Sequence, residues 1–217
     1  MKTKIVSLLL ALGLTTNAAF SGNSAKVGYA SDFFYRGAQK AEQSVQSSVK
    51  LGSALGGVDL STHACTNQSV DAGVDSYNLG AGVGKSFSDG LLSVYAGVNH
   101  FEDRPGDALS EFQVGISSNV ALNPSVAVYR DFDESLYTVE LAVGHSFDLS
   151  VASLDLSASV GNTDLTNSTD RTYYTVGADI SKSISENADL SVGVDYVDAD
   201  DLDEREFVFG TALTVKF

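Results

Sequence analysis

Charged side chains recur inside segments that otherwise alternate between apolar and small residues. Asp32 and Arg36 sit in "SDFFYRGAQ", Lys50 in "SVKLG", Glu111 in "SEFQVG" and Glu140 in "YTVELAVG". Asp155 sits in "SLDLSAS", Asp179 in "VGADIS", Asp195 in "VGVDYV" and Glu206 in "REFVFG". A charge next to apolar surface is costly. A period of two removes the conflict, because neighbouring side chains on a strand point to opposite faces. The charges then share a face with Gly, Ser and Ala, and the apolar neighbours take the other. Such a face makes an acid-rich, hydrated lining. It does not make a catalyst: Gly-x-Ser-x-Gly, a Walker loop and zinc-ligand spacing are all missing from the sequence.

These charges need elements to carry them, and composition limits which. The chain has 217 residues, a formal net charge of −15 and a sequence pI near 4.3. That balance excludes nucleic acid as a partner, since phosphates call for a basic surface. Internal apolar runs fall well short of the roughly 20 residues of a membrane helix. The first segment, "MKTKIVSLLLALGLTTNAAF", has a basic start at Lys2 and Lys4, an apolar stretch over Ile5–Leu14 and small residues at Asn17-Ala18-Ala19. It reads as a cleavable signal peptide over 1–19, followed by a single unit over 20–217. Cleavage would take the net charge to about −17. Cys65 is the single cysteine, so no disulfide framework and no metal set is available to it, and it reads as a loop residue.

Alternation dominates after residue 25. In "EFVFGTALTVKF", Phe207, Phe209, Thr211, Leu213, Val215 and Phe217 form one face, and Glu206, Val208, Gly210, Ala212, Thr214 and Lys216 the other. The pattern recurs to give about twelve strands. They are expected near 25–35, 43–53, 56–64, 74–87, 91–100, 109–119, 124–130, 135–147, 152–161, 172–183, 189–198 and 206–217. Short connections such as "FSDG" and "SENAD" alternate with longer, more charged ones such as "NHFEDRPGDA" and "DADDLDER". The expected fold class is therefore all-β, a closed antiparallel transmembrane β-barrel with tight turns at one end and larger loops at the other.

A membrane barrel turns its apolar face outward and its small or polar face inward. The aromatics agree with that orientation. Phe33, Tyr35, Tyr77, Phe112, Tyr137, Tyr174, Tyr196 and Phe207 fall near the long-loop end, and Phe87, Phe147 and Phe217 near the short-turn end, all on the apolar face. Two such levels are the girdles expected at the two membrane interfaces. The inward face is then Gly-, Ser- and Ala-rich, with acids outnumbering bases and with Phe34, Tyr95, Tyr129 and Tyr173 as its few bulky members. The lumen and mouth candidates are Asp32, Arg36, Lys50, Glu111, Glu140, Asp155, Asp179, Asp195 and Glu206.

An acidic lumen walled by low dielectric favours cations. The expected function is passive diffusion of small hydrophilic solutes or ions across the outer membrane. The alternative is a non-conducting surface barrel with an adhesion, receptor or structural role, which an inward cluster of large residues would favour. The acidic run in "DADDLDEREF" lacks the Gly and terminal Glu of a calcium loop and reads as solvated. A lipid-hydrolysing barrel would need His and Ser adjacent on the lipid face. His145 falls near the short-turn end, and His63 and His100 at the other rim show no obvious partner serine. No catalytic residue, cofactor or metal is assigned.

The stretch "SDFFYRGAQ" resembles the signature at the start of the TorF-type porin family, matching at Ser31, Asp32, Phe33, Arg36, Gly37 and Gln39. The resemblance implies an exported bacterial outer-membrane barrel of about this size and brings no catalytic residues. In the strand register Phe33 and Tyr35 point outward, and Asp32, Phe34 and Arg36 inward. Closure should set the last strand beside the first, so Arg36 is expected to meet Glu206 or another acid at the mouth.

Overall fold

The computed structural model describes residues 22–70, 75–104, 106, 108–132, 136–164, 171–200, 202 and 205–217. The expected signal peptide and much of the acidic run near 201–204 lie outside the described residues. Twelve strands follow one another: β1 Ser24–Tyr35, β2 Ala38–Leu55, β3 Val58–Ser69, β4 Asp75–Phe87, β5 Leu92–Arg104 and β6 Ala108–Ser118. Then come β7 Ser125–Asp131, β8 Tyr137–Asp148, β9 Ser153–Asp164, β10 Arg171–Ser185, β11 Ala188–Ala199 and β12 Glu206–Lys216. Each pairs antiparallel with its sequence neighbours, and β12 pairs with β1 from Ser24↔Lys216 to Ala30↔Gly210. The sheet is a closed barrel, which leaves no open edge.

Burial alternates in the sense a lipid-facing wall demands. Along β8, Tyr137, Val139, Leu141 and Val143 are exposed, whereas Thr138 and Glu140 are buried. The same inversion puts Phe207 and Phe209 outside and Val208 inside on β12. A soluble protein would lose about 25 cal/mol for each Å² of that apolar surface left in water. A hydrocarbon surround removes the penalty, and the closed ladder pairs strand N–H and C=O groups within the wall.

Several strands run longer than the alternation predicts. β2 begins at Ala38 instead of near 43, β3 continues to Ser69 and β5 to Arg104. These extensions are polar, so hydropathy gives no sign of them, but the ladder continues regardless of side-chain polarity. One consequence is a correction: Cys65 is a strand residue of β3, opposite Ser48, and not a loop residue.

Many inward glycines do not leave open space. Tyr95 is the register partner of Gly115, and Tyr173 of Gly161. Each ring lies over its glycine, where an added Cβ would overlap it. Strand glycines of this kind mark a close approach. Tyr95, Ala127 and Tyr129 form one buried apolar cluster, and Ala30, Phe34, Val197 and Val208 another.

Candidate functional site

The β1–β2 connection leaves the barrel wall and enters the lumen. Pairing of β1 with β12 stops at Ala30↔Gly210. One step on, the hydroxyl of Ser31 replaces the lost strand contact and accepts the Phe209 N–H at 3.0 Å. The same hydroxyl donates to Asp32 Oδ2 at 2.9 Å, and Gln39 donates to Asp32 Oδ1 at 3.0 Å. The register of β1 against β2 then shifts: Phe33 faces Ala41, but Phe34 faces Gln39, which makes Lys40 an extra residue. Such a bulge bends its strand. Lys40 reaches out to Asp103 of β5 at 3.0 Å. Arg36 and Gly37 close the hairpin with φ of 50° and 77°, a two-residue turn with both residues left-handed.

The tip bridges the interior. The Arg36 guanidinium lies 2.7 Å from Glu111 Oε2 on β6 and 3.9 Å from the centre of the Tyr129 ring on β7. The Tyr35 ring stacks 4.8 Å from the same guanidinium. Glu111 is 1% exposed. It also accepts from Tyr35 Oη at 3.1 Å and from Asn99 Nδ2 at 3.1 Å. A carboxylate so buried is tolerated because its charge is matched and its lone pairs are used. On the other side of the ring, Gly37 packs against Tyr173 of β10 and Ala199 of β11. The Tyr173 hydroxyl donates to Glu140 Oε2 on β8 at 2.7 Å. Phe34, fully buried, packs with Val197 and Val208 at the base of the tip.

Nearer the chain termini the wall is acidic. Asp155 on β9 and Asp179 on β10 are direct cross-strand partners, and Asp195 lies across Gly177 on β11. The Ser146 hydroxyl donates to Asp155. Lys26 of β1 is within electrostatic reach of Asp179 and Asp195. On β2 and β3, Lys50 stands opposite His63, whose Nε2 is 2.7 Å from Asn78 Oδ1.

The expected mouth and lumen residues therefore split into two groups. Arg36, Glu111 and Glu140 gather around the tip, with Asp32 holding its stem. Lys50, Asp155, Asp179 and Asp195 line the wall beyond it. Glu206 begins β12 on the inward face, but Arg36 takes Glu111 as its partner instead. Tyr35 is a correction: expected outward, it turns into the mouth because the tip bends away from the wall. Asn99 was not identifiable as a site residue, since its part depends on a hydrogen bond across to β6.

The histidines need a third correction. His100 and Ser110 are register partners on the outward face, with Nδ1 and Oγ 3.0 Å apart. The nearest acid along that face, Glu102, is held by Arg104 Nε at 2.8 Å instead of orienting the imidazole. Among the described residues, no acid is seen bonded to the imidazole as the third member that makes serine a nucleophile. Among the described residues no group of three His, Cys, Asp or Glu side chains is placed to hold a metal.

No family model matches the chain, and no curated protein matches it in sequence. Solved structures do match in fold. The KdgM porin shares 12% identity over 89% of this chain and 99% of its own, with a TM-score of 0.61. The fold is that of an outer-membrane porin barrel. An outer-membrane channel from Pseudomonas putida F1 matches at 9% identity and a TM-score of 0.63, covering 90% of this chain and 95% of its own. The NanC porin matches at 11% identity and a TM-score of 0.59, covering 90% and 100%. At such identities the likeness extends to architecture and not to residues.

Proposed function

We propose that the chain is an exported outer-membrane channel of the TorF type for passive diffusion of small hydrophilic solutes, with a preference for cations. The observation that carries this reading is the inverted wall. Apolar side chains face outward on every side, while Asp155, Asp179, Asp195, Glu111 and Glu140 face in. A lumen with that excess of acid attracts cations and repels anions. The KdgM porin has been solved in complex with disordered oligogalacturonate. An acidic lumen would repel that polyanion, so the shared fold does not carry this solute over. The signal peptide at 1–19 and the unit at 20–217 belong to the same reading.

One observation favours the second reading, a non-conducting surface barrel: the tip and its aromatic neighbours cross the interior. Recording from refolded protein in planar bilayers separates the two. A channel gives discrete conductance steps, with reversal potentials in a potassium chloride gradient shifted toward the potassium potential. Silence from a folded barrel, with or without its tip, would remove the channel.

A further inference from the structure

We infer that the β1–β2 tip is a gate, latched by Arg36, and that the arrangement described above is its closed position. The inference rests on the channel reading and deepens it. The first support is how the tip is attached. Beyond Ala30 it has no strand contact with β12, and its stem is held by side chains: Ser31 to Phe209, Gln39 to Asp32 and Lys40 to Asp103. A segment bound to the wall by side chains can move without unzipping the barrel, because β1–β12 pairing from Ser24 to Ala30 is left intact.

The second support is the chemistry of the seat. Arg36 meets Glu111 and Tyr129, and Gly37 fits against Tyr173 and Ala199. These partners lie on β6, β7, β10 and β11, so one two-residue turn touches both sides of the lumen. Gly37 is required twice there: its φ is 77°, and a Cβ would stand 2.7 Å from Tyr173 Cβ and 2.9 Å from Ala199 Cβ.

The third support is a counterweight. Asn99, whose Nδ2 donates to the Arg36 partner Glu111, keeps its Oδ1 buried without a hydrogen-bond partner. Burying such atoms opposes closure, and hydration on opening would relieve it. The seat is held by the Arg36–Glu111 pair, its ring contacts and buried Phe34, and the unpaired polar atom sets a penalty against it, so the two positions differ by a balance of opposing terms.

The test uses the full-length mature chain refolded in lipid, with Cys65→Ser as background. Lys40→Cys with Asp103→Cys, at positions whose native side chains meet at 3.0 Å, ties the stem to the wall through a short, reducible bis-methanethiosulfonate linker. The expected result is conductance lost on crosslinking and restored by reductant, with both forms shown folded by heat-dependent gel migration. Arg36→Ala should raise the open-to-closed ratio roughly a hundredfold, the effect of breaking one buried ion pair. Replacing Phe34–Gln39 by a short glycine turn should give a steadily open pore. Conductance unchanged by the crosslink would overturn the gate while leaving the channel reading in place. A folded but silent tip-shortened barrel would overturn both.

Discussion

Arg36 and Glu111 form an ion pair at 2.7 Å between the first hairpin and β6, with Glu111 almost wholly buried. Removing either partner alone leaves a buried charge without its match. Arg36→Ala is expected to lower unfolding stability by about 3 kcal/mol where the tip stays seated. Glu111→Gln on top of it should recover much of that loss, since an amide still accepts from Tyr35. Urea titrations in lipid vesicles read both. Equal losses in the single and double variants would show that the charge pair is not what seats the tip.

Gly37 gives an independent handle on the same seat. Gly37→Ala adds a left-handed alanine and overlaps Tyr173 and Ala199. The conformational part costs about 1 kcal/mol, and the overlap about 1–3 kcal/mol more unless the tip shifts. Ala199→Gly clears one of the two obstructions, so the double variant should regain part of the loss. The measurement is the temperature at which the folded band converts on a gel.

Much of this fold is legible in the sequence because lipid enforces a strict alternation. The twelve strands and the inward placement of Glu111, Glu140, Asp155, Asp179 and Asp195 follow from period two, and the closure of β12 on β1 from period two together with the alternation of short and long connections and the two aromatic levels. The tip does not. Its inward turn depends on a bulge at Lys40 and on β1 losing its pairing with β12 beyond Ala30, and neither changes hydropathy. Alternation still assigns Phe34 and Arg36 correctly, but it places Tyr35 outside. The choice of Glu111 over Glu206 as partner for Arg36 is a matter of how far the hairpin leans, which only long-range contacts fix. Five of the six residues that carry the resemblance, Ser31, Asp32, Arg36, Gly37 and Gln39, make contacts that hold the tip; Phe33 is the exception.

The outward face of β8 offers a direct test of lipid exposure. Leu141 is 50% exposed and lies between inward Glu140 and Ala142. Leu141→Arg should cost about 2–4 kcal/mol if the position lies near the bilayer midplane. Tyr137→Arg, at the end of the same strand, should cost under about 1 kcal/mol, as interfacial sites do. Reversible unfolding in vesicles gives both values. Equal costs at the two positions would contradict a lipid belt centred on the wall.

The acidic wall sets the last expectation. Asp155 and Asp179 face each other across β9 and β10, and Asp195 lies on β11 beside them. Lys26 offsets only part of that charge. If permeating ions pass this wall, Asp179→Asn with Asp195→Asn should move the reversal potential toward zero. Lys26→Gln should move it the other way, because the remaining acids lose their counter-charge. Both variants keep side-chain volume and polarity close to the original, so pore size is held nearly constant and the change reads field alone. Selectivity indifferent to both substitutions would place the ion path, and the charges that govern it, elsewhere in the barrel.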